Sequence, residues 1–148
     1  MKKLIFTLFS ATLFVACSNQ EKTVELPAEK PIDKTIEFTI APVVDYTQPR
    51  YDSASAEIKL SVYKPLYDPY REQILWDTVI ARKELKEYMN ASTPLVIRKT
   101  FSILESKEKI GAGYSISYVT KPFTYPTYFA FGGLAEFGKP TFKVDVNL

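Results

Sequence analysis

Histidine is absent from this chain, and cysteine and tryptophan occur only once each. Without histidine the chain has no imidazole base, no Ser–His pair and no histidine ligand for a metal. Glycine is also scarce, and the one closely spaced pair, Gly111-Ala112-Gly113, is predicted to form a β-turn or bulge in a hairpin rather than a phosphate-binding loop. We therefore expect no enzyme activity, no catalytic residue, no metal site and no cofactor.

An excess of charge of one sign is lacking as well. The formal net charge is +2, and two lysines at the N-terminus account for it, because without them basic and acidic residues are equal at 17 each. A protein that binds nucleic acid generally presents a basic stripe or patch. The composition therefore gives no support for nucleic-acid binding.

The N-terminus has the order of an export signal. Two lysines precede the apolar run Leu4–Val15, which is too short to cross about 30 Å of hydrocarbon as a helix. The run ends in Phe14-Val15-Ala16-Cys17, and this ending resembles the lipobox of bacterial lipoproteins. The resemblance implies that residues 1–16 are a signal peptide, that the Cys17 sulfur is acylated, and that the new amino terminus receives a further acyl chain.

The same resemblance implies a location in the cell envelope. Two or more acyl chains anchor a protein stably in a membrane, whereas one chain binds only marginally. Ser18 follows the cysteine, in place of the Asp that retains some Gram-negative lipoproteins at the inner membrane, and this favours the outer membrane. Acylation of Cys17 leaves no free thiol, so neither a disulfide nor thiolate chemistry is expected.

Residues 17–34 are polar and contain Pro27 and Pro31, which is typical of an extended linker. The remaining residues, 35–148, are predicted to form one domain. Seven segments of this domain have the alternating or continuous apolar pattern of strands, and they lie near 36–40, 58–62, 74–80, 95–101, 114–119, 128–131 and 142–148. This pattern predicts a mainly β fold, a two-sheet β-sandwich of the immunoglobulin-like or transthyretin-like kind.

One segment departs from the strand pattern. Ala81–Met89 places Ala81, Leu85, Tyr88 and Met89 at helical spacing, and Pro94 follows soon after. We predict a short helix here that crosses between the two sheets. Trp76, inside an apolar strand segment, is predicted to lie in the core.

Tyrosine clusters with proline in three predicted loops. Tyrosine combines an apolar body with a polar tip, and proline stiffens a loop, so both suit a binding surface at one end of the sandwich. Alternatively, the tyrosines pack over the open ends of a small core. The candidate residues are Tyr46 and Tyr51 in the first loop, Tyr63, Tyr67 and Tyr70 in the second, and Tyr125 and Tyr128 in the third.

Two functions follow as hypotheses. The first is a non-catalytic assembly or accessory lipoprotein that binds another envelope protein through its loops or through a free strand edge. The second is a module that binds a glycan or another ligand by stacking exposed tyrosine rings on it. The single tryptophan makes the second hypothesis the weaker one, because glycan platforms generally combine tryptophan with tyrosine.

Overall fold

The computed structural model describes residues 28–66, 71–88, 92–120, 123–124 and 127–148. The predicted signal peptide, Cys17 and the first part of the linker lie outside the described residues, so the predictions made for them stay predictions. The strands in the described ranges are β1 (Ile32–Ala41), β2 (Ala54–Leu66), β3 (Arg71–Glu84), β4 (Leu95–Ile103), β5 (Gly111–Thr120), β6 (Phe123–Thr124), β7 (Tyr128–Leu134) and β8 (Thr141–Asn147).

The strands form two sheets. The smaller sheet has the order β4-β1-β8, in which β1 pairs antiparallel with β4 and parallel with β8. The larger sheet has the order β3-β2-β5, and both β7 and the short β6 pair with the remaining edge of β5. The predicted two-sheet β-sandwich is therefore confirmed, and all seven predicted strand segments are strands.

The core lies between the inner faces of the two sheets. Ile36, Phe38 and Ile40 of β1 are at most 2% exposed, and they pack in one buried cluster with Ile58 and Leu60 of β2. Successive side chains of a strand point to opposite faces, so these alternate residues enter the core while the residues between them face outward. At the C-terminus the N–H of Leu148 donates to the carbonyl of Ala41, 3.0 Å away, which ties the last residue to the sheet.

Two bulges bend β3 against β2. Val62 pairs with Trp76 and Tyr63 pairs with Ile74, which leaves Leu75 as an extra residue. Trp76 reaches the rim of the core and not its centre: its ring is half-buried, 6.1 Å from the ring of Phe38 between centroids. The prediction of a core tryptophan is thus met only in part.

The predicted helix over Ala81–Met89 is wrong for the residues that the structure describes. β3 continues to Glu84, because Lys83 and Glu84 pair with Ala56 and Ser55 of β2, and only a 3-10 turn, Leu85–Glu87, follows. A helix this short is marginal without strong packing, whereas the neighbouring β2 offers a complete ladder of hydrogen bonds. The apolar spacing that suggested a helix has a different cause, since Leu85 at the start of the turn and Tyr88 directly after it both pack on the core.

The first strand begins before the predicted domain boundary at residue 35. Lys34 is only 1% exposed, and its ammonium group donates to the Glu105 carboxylate and, at 2.6 Å, to the carbonyl of Glu136. The end of the linker is therefore held by the β4–β5 and β7–β8 connections. We call this end of the sandwich, where Ile32 begins β1, the entry end, and the opposite end, where Ala41 ends β1, the far end.

Candidate functional site

The tyrosines of the predicted binding surface divide between the two ends of the sandwich. Tyr46 and Tyr51 follow β1 and lie at the far end, whereas Tyr63 lies near the entry end, where the adjacent Lys64 pairs with Glu108 of the β4–β5 connection. Tyr51 precedes β2 and Tyr63 lies close to its other end, opposite Gly111, so most of the length of β2 separates them. Instead of the single cluster expected from the sequence, the described tyrosines form separate groups. Tyr67, Tyr70 and Tyr125 lie outside the described residues.

Tyr46 and Tyr51 pack against each other at the far end. Their ring centroids are 4.9 Å apart at an interplanar angle of 84°, and the Arg50 guanidinium lies 4.7 Å from the centre of the Tyr51 ring. Both rings are half-buried against the core, and burial raises the pKa of Tyr46. This pair covers the end of the core, as the alternative interpretation of the tyrosines anticipates.

Tyr63 forms part of the outer face of the larger sheet, yet it is only 5% exposed. Its ring lies over Gly111, where a β-carbon would come within 2.7 Å of the ring, and its centroid is 6.0 Å from that of Phe131. Burial, with the nearby charge of Glu72, raises the pKa of Tyr63 to about 12. Among the described residues its hydroxyl has no hydrogen-bond partner. Tyr63 is therefore packed against Gly111 and Phe131 and is not an exposed contact residue.

Gly111 and Gly113 lie inside β5 and not in a hairpin turn, whereas the other predicted possibility, a bulge, is confirmed at this point. Ala112 pairs with Gly133 of β7 and Gly113 pairs with Phe131, so Gly132 is an extra residue and the strand pair has a bulge at this point. A β-carbon on Gly132 would come within 2.9 Å of Val144 of β8. The glycines thus allow β7 to lie close to both β5 and the opposite sheet.

Among the strand residues whose side chains the structure describes, the most exposed aromatic ones belong to β7. Tyr128 is 55% exposed, Phe129 is 77% exposed and Phe131 is 67% exposed. Phe129 and Phe131 are two residues apart and share the outer face, whereas Tyr128 faces Tyr114, 6.4 Å away between ring centroids. We call these three residues the β7 aromatic surface. The sequence pattern showed a strand here but gave no sign that two of its phenylalanines face outward.

A shallow cleft of about 330 Å³ lies beside this surface on the outer face of the larger sheet. Its floor is made of small residues of β2 and β5, among them Ser61, Gly113 and Ser115, and Phe129 and Phe131 form one wall. Apolar Ile74 of β3, which is 53% exposed, lines the opposite side. Lys59 of β2 and Glu72 of β3 also line it, so the cleft combines apolar and charged side chains with serine hydroxyls.

Two aspartates, Asp45 and Asp77, have partners of their own. Asp45 accepts hydrogen bonds from the backbone N–H and the hydroxyl of Thr47, which lower its pKa, and Asp77 pairs with Lys59 at 3.1 Å. Within the described ranges no group of three acidic or cysteine side chains is placed to hold a metal ion. No helix in that part of the chain is both long and apolar enough to cross a membrane.

Comparison of the chain with protein-family models, with curated proteins and with solved structures found no match.

Proposed function

We propose that this chain is a lipid-anchored protein of the cell envelope, attached through Cys17 to the outer membrane, and that its sandwich domain is a non-catalytic module for binding another envelope protein. The β7 aromatic surface is the proposed contact. The observation that carries the proposal is the exposure of two neighbouring phenylalanines, Phe129 and Phe131, on one face of a strand.

The energetics of these side chains support a binding role. Full burial of a phenylalanine side chain contributes about 1.5–3 kcal/mol, and the isolated domain forgoes most of this at both positions. Buried aromatic side chains near the centre of a contact are among the commonest hot spots of protein interfaces. A partner that covers Phe129 and Phe131 would therefore recover a substantial free energy from few residues.

The β7 aromatic surface lies in the half of the larger sheet that is nearer the linker. The linker meets the domain at the entry end, where Lys34 is held by Glu105 and Glu136. Tyr128 pairs with Ile116, whereas Leu134 pairs with Gly111, so β7 runs from the middle of β5 to the entry end. At about 3.3 Å per residue, Tyr128 lies about 20 Å further from the entry end than Leu134. Tyr128 is thus the aromatic residue of β7 furthest from the entry end, whereas Phe131 lies nearer to it, beside Tyr63.

The anchor is tested by Cys17→Ala in the full chain. We expect the variant to fold but to leave the membrane fraction, because it has no acylation site. Measurement of membrane-bound and released protein after cell fractionation checks this. A variant that stays in the membrane and still carries acyl chains would contradict the anchor.

The binding surface is tested by Phe129→Ser combined with Phe131→Ser. We expect a protein that co-purifies with the wild-type chain from detergent-solubilised native membranes to be lost with this variant. Phe137→Ser is the matched control, because Phe137 is 79% exposed but lies in the β7–β8 connection. Recovery of the wild-type chain without any partner, or equal loss with the control, would contradict the proposed function.

Glycan binding is a second candidate function, and the outer-face cleft favours it. Sugar rings present apolar faces that stack on aromatic rings and hydroxyls that bond to polar groups, and the cleft places Phe129 and Phe131 beside Ser61 and Ser115. Ser115→Phe would fill the floor, so we expect it to abolish binding on a glycan array. Failure of the wild-type domain to bind any glycan on the array would eliminate this candidate.

A further inference from the structure

We propose that the partner presents an extended, uncharged segment, which pairs as an additional strand with the free edge of β7. This inference rests on the proposed function, and it specifies the kind of partner that the β7 aromatic surface binds. Strand addition of this kind takes its affinity from main-chain hydrogen bonds and its specificity from alternate side chains.

The backbone of β7 is available for such pairing on one side. β7 pairs with β5 through residues 128–134, and no other described strand pairs with its second edge. In an antiparallel pair the N–H and C=O groups of alternate residues point away from the neighbouring strand. About half of the main-chain groups of β7 are therefore directed toward the free edge, where an added strand would satisfy them.

The charge pattern of the edge strands singles out β7. Natural proteins protect free edges with charged side chains, lysine above all. The three other long edge strands in the described ranges follow this rule, since β3 carries Asp77 and Lys83, β4 carries Arg98, and β8 carries Lys143. The remaining edge strand, β6, also carries no charge but is only two residues long. The sequence of β7, Tyr-Phe-Ala-Phe-Gly-Gly-Leu, contains neither a charge nor a proline. An uncharged edge is complementary to an uncharged segment, which would leave no charge to desolvate on pairing.

The side chains of β7 define what the added strand must carry. Phe129 and Phe131 lie on the outer face, so the residues of the partner beside them would be apolar or aromatic. On the other side, beyond Tyr128 at the start of the strand, Ala130 is small and Gly132 has no side chain, and β8 lies close beneath Gly132 through Val144. Small residues are therefore expected at the alternate positions of the partner segment.

The exposed area favours a segment over a second copy of this chain. An aromatic side chain offers about 150–250 Å² for burial. With exposures of 55%, 77% and 67%, the three side chains of the β7 aromatic surface present about 400 Å² in total, divided between the two faces of the strand. A stable interface between two globular proteins buries about 800 Å² on each partner, twice that area. Antiparallel pairing of two copies of β7 would also direct their entry ends, and so their anchors, in opposite directions.

Site-specific photo-crosslinking in native membranes tests the inference. A photo-reactive phenylalanine analogue is placed singly at Tyr128, Phe129 or Phe131 of the full chain, and at Phe137 as the control. After irradiation, mass spectrometry identifies the crosslinked residues of the partner. We expect one contiguous partner segment, along which the attachment point moves by about two residues between Phe129 and Phe131. The Phe137 control is expected to give no crosslink to that segment.

The other outcomes separate the inference from the proposed function. Crosslinks scattered over distant parts of one partner would overturn strand addition but leave partner binding at β7 standing. Crosslinks to a second copy of this chain would overturn the choice of occupant. The absence of any protein crosslink at all three β7 positions would contradict the proposed function itself, and with it the inference.

Discussion

Two buried tyrosines of this domain provide a test in which the same chemical change has opposite effects. The hydroxyl of Tyr63 has no hydrogen-bond partner among the described residues, whereas the hydroxyl of Tyr88 donates to the carbonyl of Ala56, 3.2 Å away. Both residues are nearly buried, at 5% and 6% exposure. Replacement by phenylalanine removes only the hydroxyl in each case, so the change in packing is minimal.

The magnitudes follow from the cost of desolvation. A buried hydroxyl without a partner costs about 1–3 kcal/mol, because it is hydrated in the unfolded chain, and a typical intramolecular hydrogen bond contributes about 0.5–1.5 kcal/mol. We therefore expect Tyr63→Phe to raise the free energy of unfolding by about 1–2 kcal/mol. Tyr88→Phe should lower it by about 1 kcal/mol, because it leaves the Ala56 carbonyl without this donor.

Thermal and urea denaturation of the domain, followed by circular dichroism, measure both changes. For a domain of this size 1 kcal/mol corresponds to about 4 °C in Tm. Tyr63→Phe is thus expected to raise Tm by about 4–8 °C, and Tyr88→Phe to lower it by about 4 °C. Urea unfolding should show the same signs with an unchanged m-value, since neither substitution alters the surface exposed on unfolding.

A lower Tm for Tyr63→Phe would refute this reasoning. It would mean that the Tyr63 hydroxyl is hydrogen-bonded in solution and that the folded state does not bear the desolvation cost. An unchanged Tm for Tyr88→Phe would likewise show that the bond to Ala56 contributes nothing beyond hydration.

Three further predictions concern packing and pH. Gly111→Ala should destabilise the domain by about 1–3 kcal/mol through overpacking, because the added β-carbon would meet the ring of Tyr63. In the double variant with Tyr63→Ala the destabilisation caused by Gly111→Ala should be smaller, and urea denaturation measures both effects. Burial raises the pKa of Tyr88 and Tyr118 from 10.0 to about 12, so these residues ionise first in the unfolded chain. Their contribution to stability should be constant below pH 10 and be lost as the pH rises from 10 to 12, and an unfolding free energy that stays constant in urea titrations across that range would contradict this. A hydrogen bond from the Arg98 side chain lowers the pKa of Glu37 below 4.5, so the contribution of Glu37 to stability is present above pH 4.5 and is lost as the pH falls. Glu37→Gln should therefore reduce the loss of stability at acid pH, and an unaltered dependence of the unfolding free energy on pH would contradict this prediction.

The strands of the fold were predictable because their alternating pattern depends only on residues that are neighbours in the sequence. Ile36, Phe38 and Ile40 alternate with Glu37 and Thr39, and a strand with one buried face requires this pattern whatever its partners are. For that reason the strand segments and the two-sheet sandwich could be predicted.

The end of β3 shows why other features could not be predicted. Ala81–Glu84 has the composition of a helix, and it becomes a strand because Ser55 and Ala56 of β2, far away in the chain, pair with it. The sequence pattern assigned Lys34 to a polar linker. It is buried because Glu105 and the Glu136 carbonyl, which belong to two other connections, accept hydrogen bonds from its ammonium group. In both cases the deciding contact is distant in sequence, so no local pattern records it.

By itself, the sequence determined that this chain contains no imidazole group, which strand periodicity its domain has, and the prediction of a lipid anchor at Cys17. Only the tertiary structure decided which aromatic residues are exposed. Tyr63 and Phe129 both belong to apolar-looking strand segments, yet one is 5% and the other 77% exposed. The reason is that the exposure of an outer-face side chain depends on its neighbours across the sheet. Tyr63 lies over Gly111 and beside Phe131, whereas Phe129 belongs to an edge strand that pairs with a described strand on one side only.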